Sequence, residues 1–252
     1  MTKIRFFSLL AFFLAALQAS AQVASGGEAS TPPKPAFTTT ISLGTTYTEG
    51  NSDTAVLNLR YATEGQKERL GTLTAKVEAN YGENRVDGLK DTITENFKAS
   101  LNIKKDVGRW YISGDTSYFY DDIALVDYRI LLGPGVGRRL LQSDAQTLTV
   151  ETGPSYLWER VDGIKDDYVA LRLAENYAWQ ISATAKFHQS LEYLPKVDDF
   201  ENYLLHAEVG IETAINEWMN LALIVQDKYD NIPAAGTEHN DLSIIASLGI
   251  SF

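Results

Sequence analysis

From Phe37 onward, polar and apolar positions alternate with a period of two, run after run. Side chains of an extended strand point alternately to opposite faces, so each run has one greasy face and one wet face. Two runs are the cleanest. One sets Leu73, Ala75, Val77, Ala79 and Tyr81 against Thr72, Thr74, Lys76, Glu78 and Asn80. The next sets Ile93, Phe97, Ala99, Leu101 and Ile103 against Thr94, Asn96, Lys98, Ser100 and Asn102. Comparable runs begin at Phe37, Ala55, Trp110, Val126, Thr147, Tyr168, Ala183, Tyr203 and Trp218. A closing run from His239 places Leu242, Ile244, Ala246, Leu248, Ile250 and Phe252 on one face, with Ile245 out of pattern on the other. The tally is about twelve strands. In the run from Tyr168 to Trp179, Glu175 shares a face with Leu171, Leu173, Tyr177 and Trp179. Either a bulge resets the parity there or that carboxylate lies near an interface.

The connectors alternate as well. Joints near 104–108, 141–146, 180–183 and 214–217 read as tight. Those near 82–91, 121–125, 159–167, 195–202 and 230–240 read as long and are rich in Asp, Asn, Gly and Glu. Short periplasmic turns facing longer outer loops are the rule for membrane barrels. Trp110, Trp179 and Trp218 fall beside tight joints and Trp158 beside a long one, as an aromatic girdle at two interfaces would require. A soluble sandwich also has short alternating strands. It has no need of a dozen faces that stay apolar to both ends. The expected fold is therefore all-β: a single transmembrane antiparallel up-and-down β-barrel of about twelve strands, spanning 37–252.

The start of the chain reads as an export signal. Lys3 and Arg5 form a basic head, Ile4 to Leu17 a mostly apolar run, and Ala19-Ser20-Ala21 a small-residue cleavage site, giving a signal peptide over 1–21. Residues 22–36, ending in Thr31-Pro-Pro-Lys-Pro35, read as a flexible periplasmic leader. There is no cysteine, so an exported chain must take its stability from burial and backbone pairing, and a closed barrel also removes every strand edge. The formal charge of −11 disfavours a nucleic-acid partner, since phosphate binding needs a basic surface.

The closing run resembles the last strand of a bacterial outer-membrane barrel, in which a terminal Phe, here Phe252, is the usual address label for the barrel-assembly machinery. A wider resemblance rests on Gly44 with Gly50-Asn51-Ser52-Asp53-Thr54, on Tyr118-Phe119-Tyr120-Asp121-Asp122, on Arg129 with Gly133-Pro134-Gly135-Val136-Gly137, and on Glu151-Thr152-Gly153-Pro154-Ser155-Tyr156. By these elements the chain is similar to the YdiY-like family of salt-induced outer-membrane proteins. The resemblance implies a location in the cell outer membrane, among its lipid and lipopolysaccharide. It names no substrate and no cofactor.

Parity sends Arg60, Lys76, Glu78, Lys98, Asp115, Arg129, Arg139, Glu151, Arg172, Lys186, His188, Glu192, His206, Glu208 and Glu212 toward the lumen. Unpaired charge in a confined space is costly, so a mixed lining of this kind forms crossed ion pairs that rigidify the interior. The sharper reading is a constriction that selects small polar or charged solutes. His188 and His206, near Glu192 and Glu208, have the chemistry of metal ligands or of an acid–base pair, set against the commoner hydrogen-bonded interior histidines, and no metal is expected. Gly133 to Gly137 is no phosphate cradle, because nothing helical follows; its inner-face glycines make room for a bulky neighbour such as a tyrosine. The expected role is envelope maintenance or passive solute passage under osmotic or ionic stress, and no enzyme. The alternatives are a hydrolase built on the rim acids, or a non-conducting structural or adhesion barrel.

Overall fold

The computed structural model describes residues 37–48, 53–67, 69–86 and 89–252. The expected signal peptide and leader lie outside them. The described residues form twelve strands: β1 (Phe37–Thr48), β2 (Asp53–Lys67), β3 (Gly71–Val86), β4 (Leu89–Val107), β5 (Trp110–Asp121), β6 (Val126–Gln142), β7 (Gln146–Val161), β8 (Ile164–Gln180), β9 (Ala185–Lys196), β10 (Asp199–Ala214), β11 (Met219–Asp230) and β12 (Asn240–Ser251). Each pairs antiparallel with its sequence neighbours, and β1 pairs with β12, so the sheet closes on itself. At the seam, Thr39 and Phe252 exchange both backbone hydrogen bonds at 2.9 Å. Closure matters because an edge strand would leave a row of unpaired amides, which hydrocarbon cannot satisfy.

The alternation becomes an inside and an outside. Leu242, Ile244, Leu248 and Ile250 are 43–67 % exposed on the outer face of β12. Leu221, Leu223, Leu173, Val169, Leu57 and Leu43 continue that face around the wall. An apolar surface of this extent has no counterpart on a soluble monomer, and an outward apolar band is the mark of a barrel made to sit in lipid. All four tryptophans also face outward. Trp110, Trp179 and Trp218 stand at the end of the barrel where β4–β5, β8–β9 and β10–β11 turn, and Trp158 stands toward the other.

Two expectations from the sequence change. Most of the polar segments read as long outer loops are strands. β7 and β8 are joined only by Asp162-Gly163, β9 and β10 only by 197–198, and β3 runs to Val86 with β4 resuming at Leu89. Polar side chains do not stop backbone pairing, and a hairpin that projects into water keeps its amides bonded to each other. Asp162 (φ 48°) and Gly163 (φ 75°) both adopt the left-handed conformation of a two-residue hairpin turn, for which Asp-Gly is a strong sequence signal. Among the described residues, only the β11–β12 connector, 231–239, is long. The second change concerns Glu175. The β7–β8 ladder runs without a shift from Gln146↔Trp179 to Val161↔Ile164, so no bulge resets parity. Glu175 stays on the outer face and accepts a hydrogen bond from Gln189 Nε2 at 3.4 Å.

Candidate functional site: the barrel lumen

The register sets charged side chains beside one another along the inner wall. One row reads Arg60, Glu78, Lys98, Phe119, Arg129, Glu159 from β2 to β7. Three arginines on this wall reach beyond their own ladders and tie distant strands together.

Arg172 of β8 is the hub of the first tie. Its Nη1 donates to Glu151 of β7 and, at 3.3 Å, to Asp115 of β5, while its Nε donates to Glu192 of β9 at 2.5 Å. Glu151 also receives Ser113 Oγ at 2.9 Å and pairs with Lys104 Nζ at 3.3 Å; Asp115 receives Asn102 Nδ2 at 2.5 Å. Arg60 of β2 makes the second tie across to β10, through Glu78 at 2.9 Å and Glu208 at 2.6 Å. Gln226 Nε2 donates to the same two carboxylates at 3.4 and 3.2 Å. Arg129 of β6 makes the third, bonding Glu159 of β7 and Asp230 of β11, the latter at 3.1 Å. Charge-assisted bonds of this kind are the strong ones, and each carboxylate in these ties would be costly to leave alone in a confined interior.

The histidines divide between two carboxylates. His188 Nε2 lies 3.3 Å from Glu208 and His206 Nδ1 lies 3.6 Å from Glu192. They do not converge, and no group of three metal-binding side chains occurs among the described residues. Gly210 sits opposite His188, where an added Cβ would fall 2.2 Å from the ring. Gly137 does the same for Tyr111: its Cβ would fall 2.1 Å from the phenol ring, so the glycine is the space into which that buried tyrosine fits. Lys104 and Arg139 stack their charges over Tyr111 at 5.0 and 5.5 Å, and Arg139 also pairs with Asp106 at 2.5 Å. Lys186 and Glu212 face each other across the β9–β10 ladder. Lys76 and Lys98 border the main interior cavity, of ≈ 170 Å³, together with Lys228.

Several inward residues escape a reading by parity alone. β11 carries apolar side chains on both faces, Leu221, Leu223 and Val225 outside and Ala222 and Ile224 inside, which hides the inward positions of Gln226 and Lys228. Ile245, the residue out of pattern in the last run, packs inside on Ile224 and Ala222. A larger apolar cluster of Leu131, Leu157, Tyr168, Ala170, Leu194 and Leu204 fills the lumen beside β6 to β10. The interior is thus part polar and part dry. Aromatic side chains beyond the tryptophans also gather on the outer face. Tyr193, Tyr203, Tyr229 and His239 form a ladder with ring centroids 5.3–5.8 Å apart, and Tyr156 meets Trp158 at 4.5 Å.

A closed antiparallel sheet, apolar outside and charged within, defines the class: this is a transmembrane-type β-barrel. Residues 41–252 match the family described as "Protein of unknown function, DUF481", and the chain belongs to that family. No curated protein matches it in sequence. Among solved structures, the chain is similar to the NanC porin, with a TM-score of 0.49 at 9 % identity, covering 84 % of this chain and 97 % of that one. It is also similar to an outer-membrane channel from Pseudomonas putida F1, with a TM-score of 0.48 at 8 % identity, covering 91 % and 99 %. For the translocator domain of the autotransporter NalP from Neisseria meningitidis the TM-score is 0.47 at 13 % identity, covering 86 % of each chain.

Proposed function

We propose that this protein is an integral outer-membrane barrel that works as a narrow, low-conductance passage for small ions and polar solutes. The observation that carries this reading is the water-sized space inside the wall. The main cavity of ≈ 170 Å³ and a second of ≈ 40 Å³, which lies under the 231–239 connector, share His206 and Lys228 as lining residues. The route is a chain of small chambers interrupted by side chains, in keeping with a constricted barrel. The resemblance to salt-induced outer-membrane proteins supports a role when external salt or osmolarity changes. The outward tryptophans and tyrosines support seating between two interfaces, and Phe252, exposed at the seam, is the residue we assign as the assembly label.

A second reading, a non-conducting structural barrel, is favoured by one observation: the three arginine ties and the apolar cluster fill much of the lumen. A rim hydrolase has less behind it, because the rim acids have local tasks. Asp121 accepts the backbone amides of Ile123 and Ala124 at 3.2 and 3.1 Å, Asp166 pairs with Lys196 at 3.2 Å, and Asp127 pairs with Arg160 at 3.1 Å.

Planar-bilayer recording of the refolded protein separates the readings. Small discrete current steps are expected. A bilayer that stays silent although the barrel has inserted overturns the passage and leaves the structural barrel.

A further inference from the structure

The carboxylates that line the main cavity are already committed. Glu78 and Glu208 are bonded to Arg60 and Gln226, Glu192 to Arg172, and Glu175 to Gln189. The lysines that line it are not. Among the described residues, none of the Lys76, Lys98 and Lys228 ammonium groups comes within 4.0 Å of a carboxylate oxygen, even though Glu78 is the cross-strand neighbour of Lys98 and Asp241 that of Lys228. Lys228 instead lies 4.9 Å above the Phe119 ring. His206, whose Nδ1 stands 3.6 Å from Glu192, joins them at the wall. The result is a chamber in which three ammonium groups without a direct carboxylate partner stand beside carboxylates that are held by arginines, inside an acidic protein of formal charge −11.

An ammonium group in a narrow, low-dielectric space is unfavourable unless water or a counter-ion meets its N–H donors directly, and near neighbours that are bonded elsewhere do not do so. By the same measure one water needs about 10–15 Å³, so the chamber has room for several waters or for one small anion with part of its shell. We infer that the chamber bordered by Lys76, Lys98 and Lys228 is a binding station for small inorganic anions, which makes the passage anion-selective. The selectivity rests on the passage proposed above; the binding does not. The arginines are locked in their ties, so the lysines, on flexible stems, are the groups free to hand an anion along.

Two measurements test this separately. In planar bilayers under a KCl gradient, the reversal potential of the wild type is expected to have the sign of chloride preference. The triple variant K76Q/K98Q/K228Q is expected to lose or reverse that sign, while K105Q, the same chemical change away from the chamber, keeps it. In detergent micelles at constant ionic strength, sulfate is expected to raise the thermal midpoint of the wild type and to leave the triple variant unmoved. Heat-modifiable migration on a gel checks that each variant is folded. Should the triple variant fail to fold, K98Q and K228Q singly are expected to reduce both effects. Conductance without ion preference, or stabilisation by sulfate that survives in the folded variants, overturns the station. Stabilisation by sulfate that needs the lysines, in a barrel that passes no current, upholds the station and overturns the passage. A wild type that neither conducts nor responds to sulfate overturns both.

Discussion

The two sides of the lumen are built differently. Along β2 to β4 the inner face carries an amide ladder, Asn58 donating to Asn80 and Asn80 to Asn96, each at 2.7 Å, and β3 and β4 share the lysine-lined chamber with β8 to β11. Along β6 to β10 the inner face carries Leu131, Leu157, Tyr168, Leu194 and Leu204, with Leu157 wholly buried. The same alternation produces both walls. Pointing inward is therefore not the same as being polar: the amide ladder is a polar stretch of wall, and the apolar cluster supplies a packed core that a small barrel otherwise lacks.

The comparison breaks most severely at Arg172, which ties β8 to β5, β7 and β9. Arg172→Met strips Glu151, Asp115 and Glu192 of their shared cation, and a loss of about 3–5 kcal/mol is expected from urea-dependent unfolding in lipid vesicles. In the dry wall, Leu157→Ala is expected to cost about 2–5 kcal/mol in the same assay, because a cavity opens among groups that cannot collapse. On the outer face, Leu101→Arg is expected to cost about 2–4 kcal/mol and its inward neighbour Asn102→Arg less; equal penalties would contradict the assigned parity. The smallest effect belongs to the wet wall. Asn80→Ala removes two side-chain hydrogen bonds, but water can take their place, so a cost of about 1 kcal/mol is expected. A cost at Asn80 as large as that at Leu157 would erase the distinction between the walls.

Much of the wall was legible in the alternation, because lipid and lumen impose a period of two on every strand. The faces of β3, β4 and β7 follow directly from Leu73 to Tyr81, Ile93 to Ile103 and Leu148 to Trp158. The interior was legible as a set of inward residues but not as a set of partners. Arg60 meets Glu208 only because β2 and β10 face each other across the closed sheet, and nothing local to either strand encodes that. Lys228 was hidden for a different reason: with apolar residues on both faces of β11, alternation loses its contrast. The outer hairpins were misread because Asp, Asn and Gly mark turns, whereas their backbone continues the ladder; the Asp162-Gly163 pair was the clue to the actual bend.

The join between β1 and β12 is the shortest ladder in the wall, Thr40–Gly44 against Ser251–Ser247, extended by the Thr39–Phe252 bonds. Its Thr40 and Ser251 hydroxyls meet at 2.8 Å across a separation of 211 positions. Drawing such remote stretches together carries the largest loop-closure entropy of any pairing here. This stitch is accordingly the one expected to be tied last as the cylinder forms and to part first when the wall is pulled open.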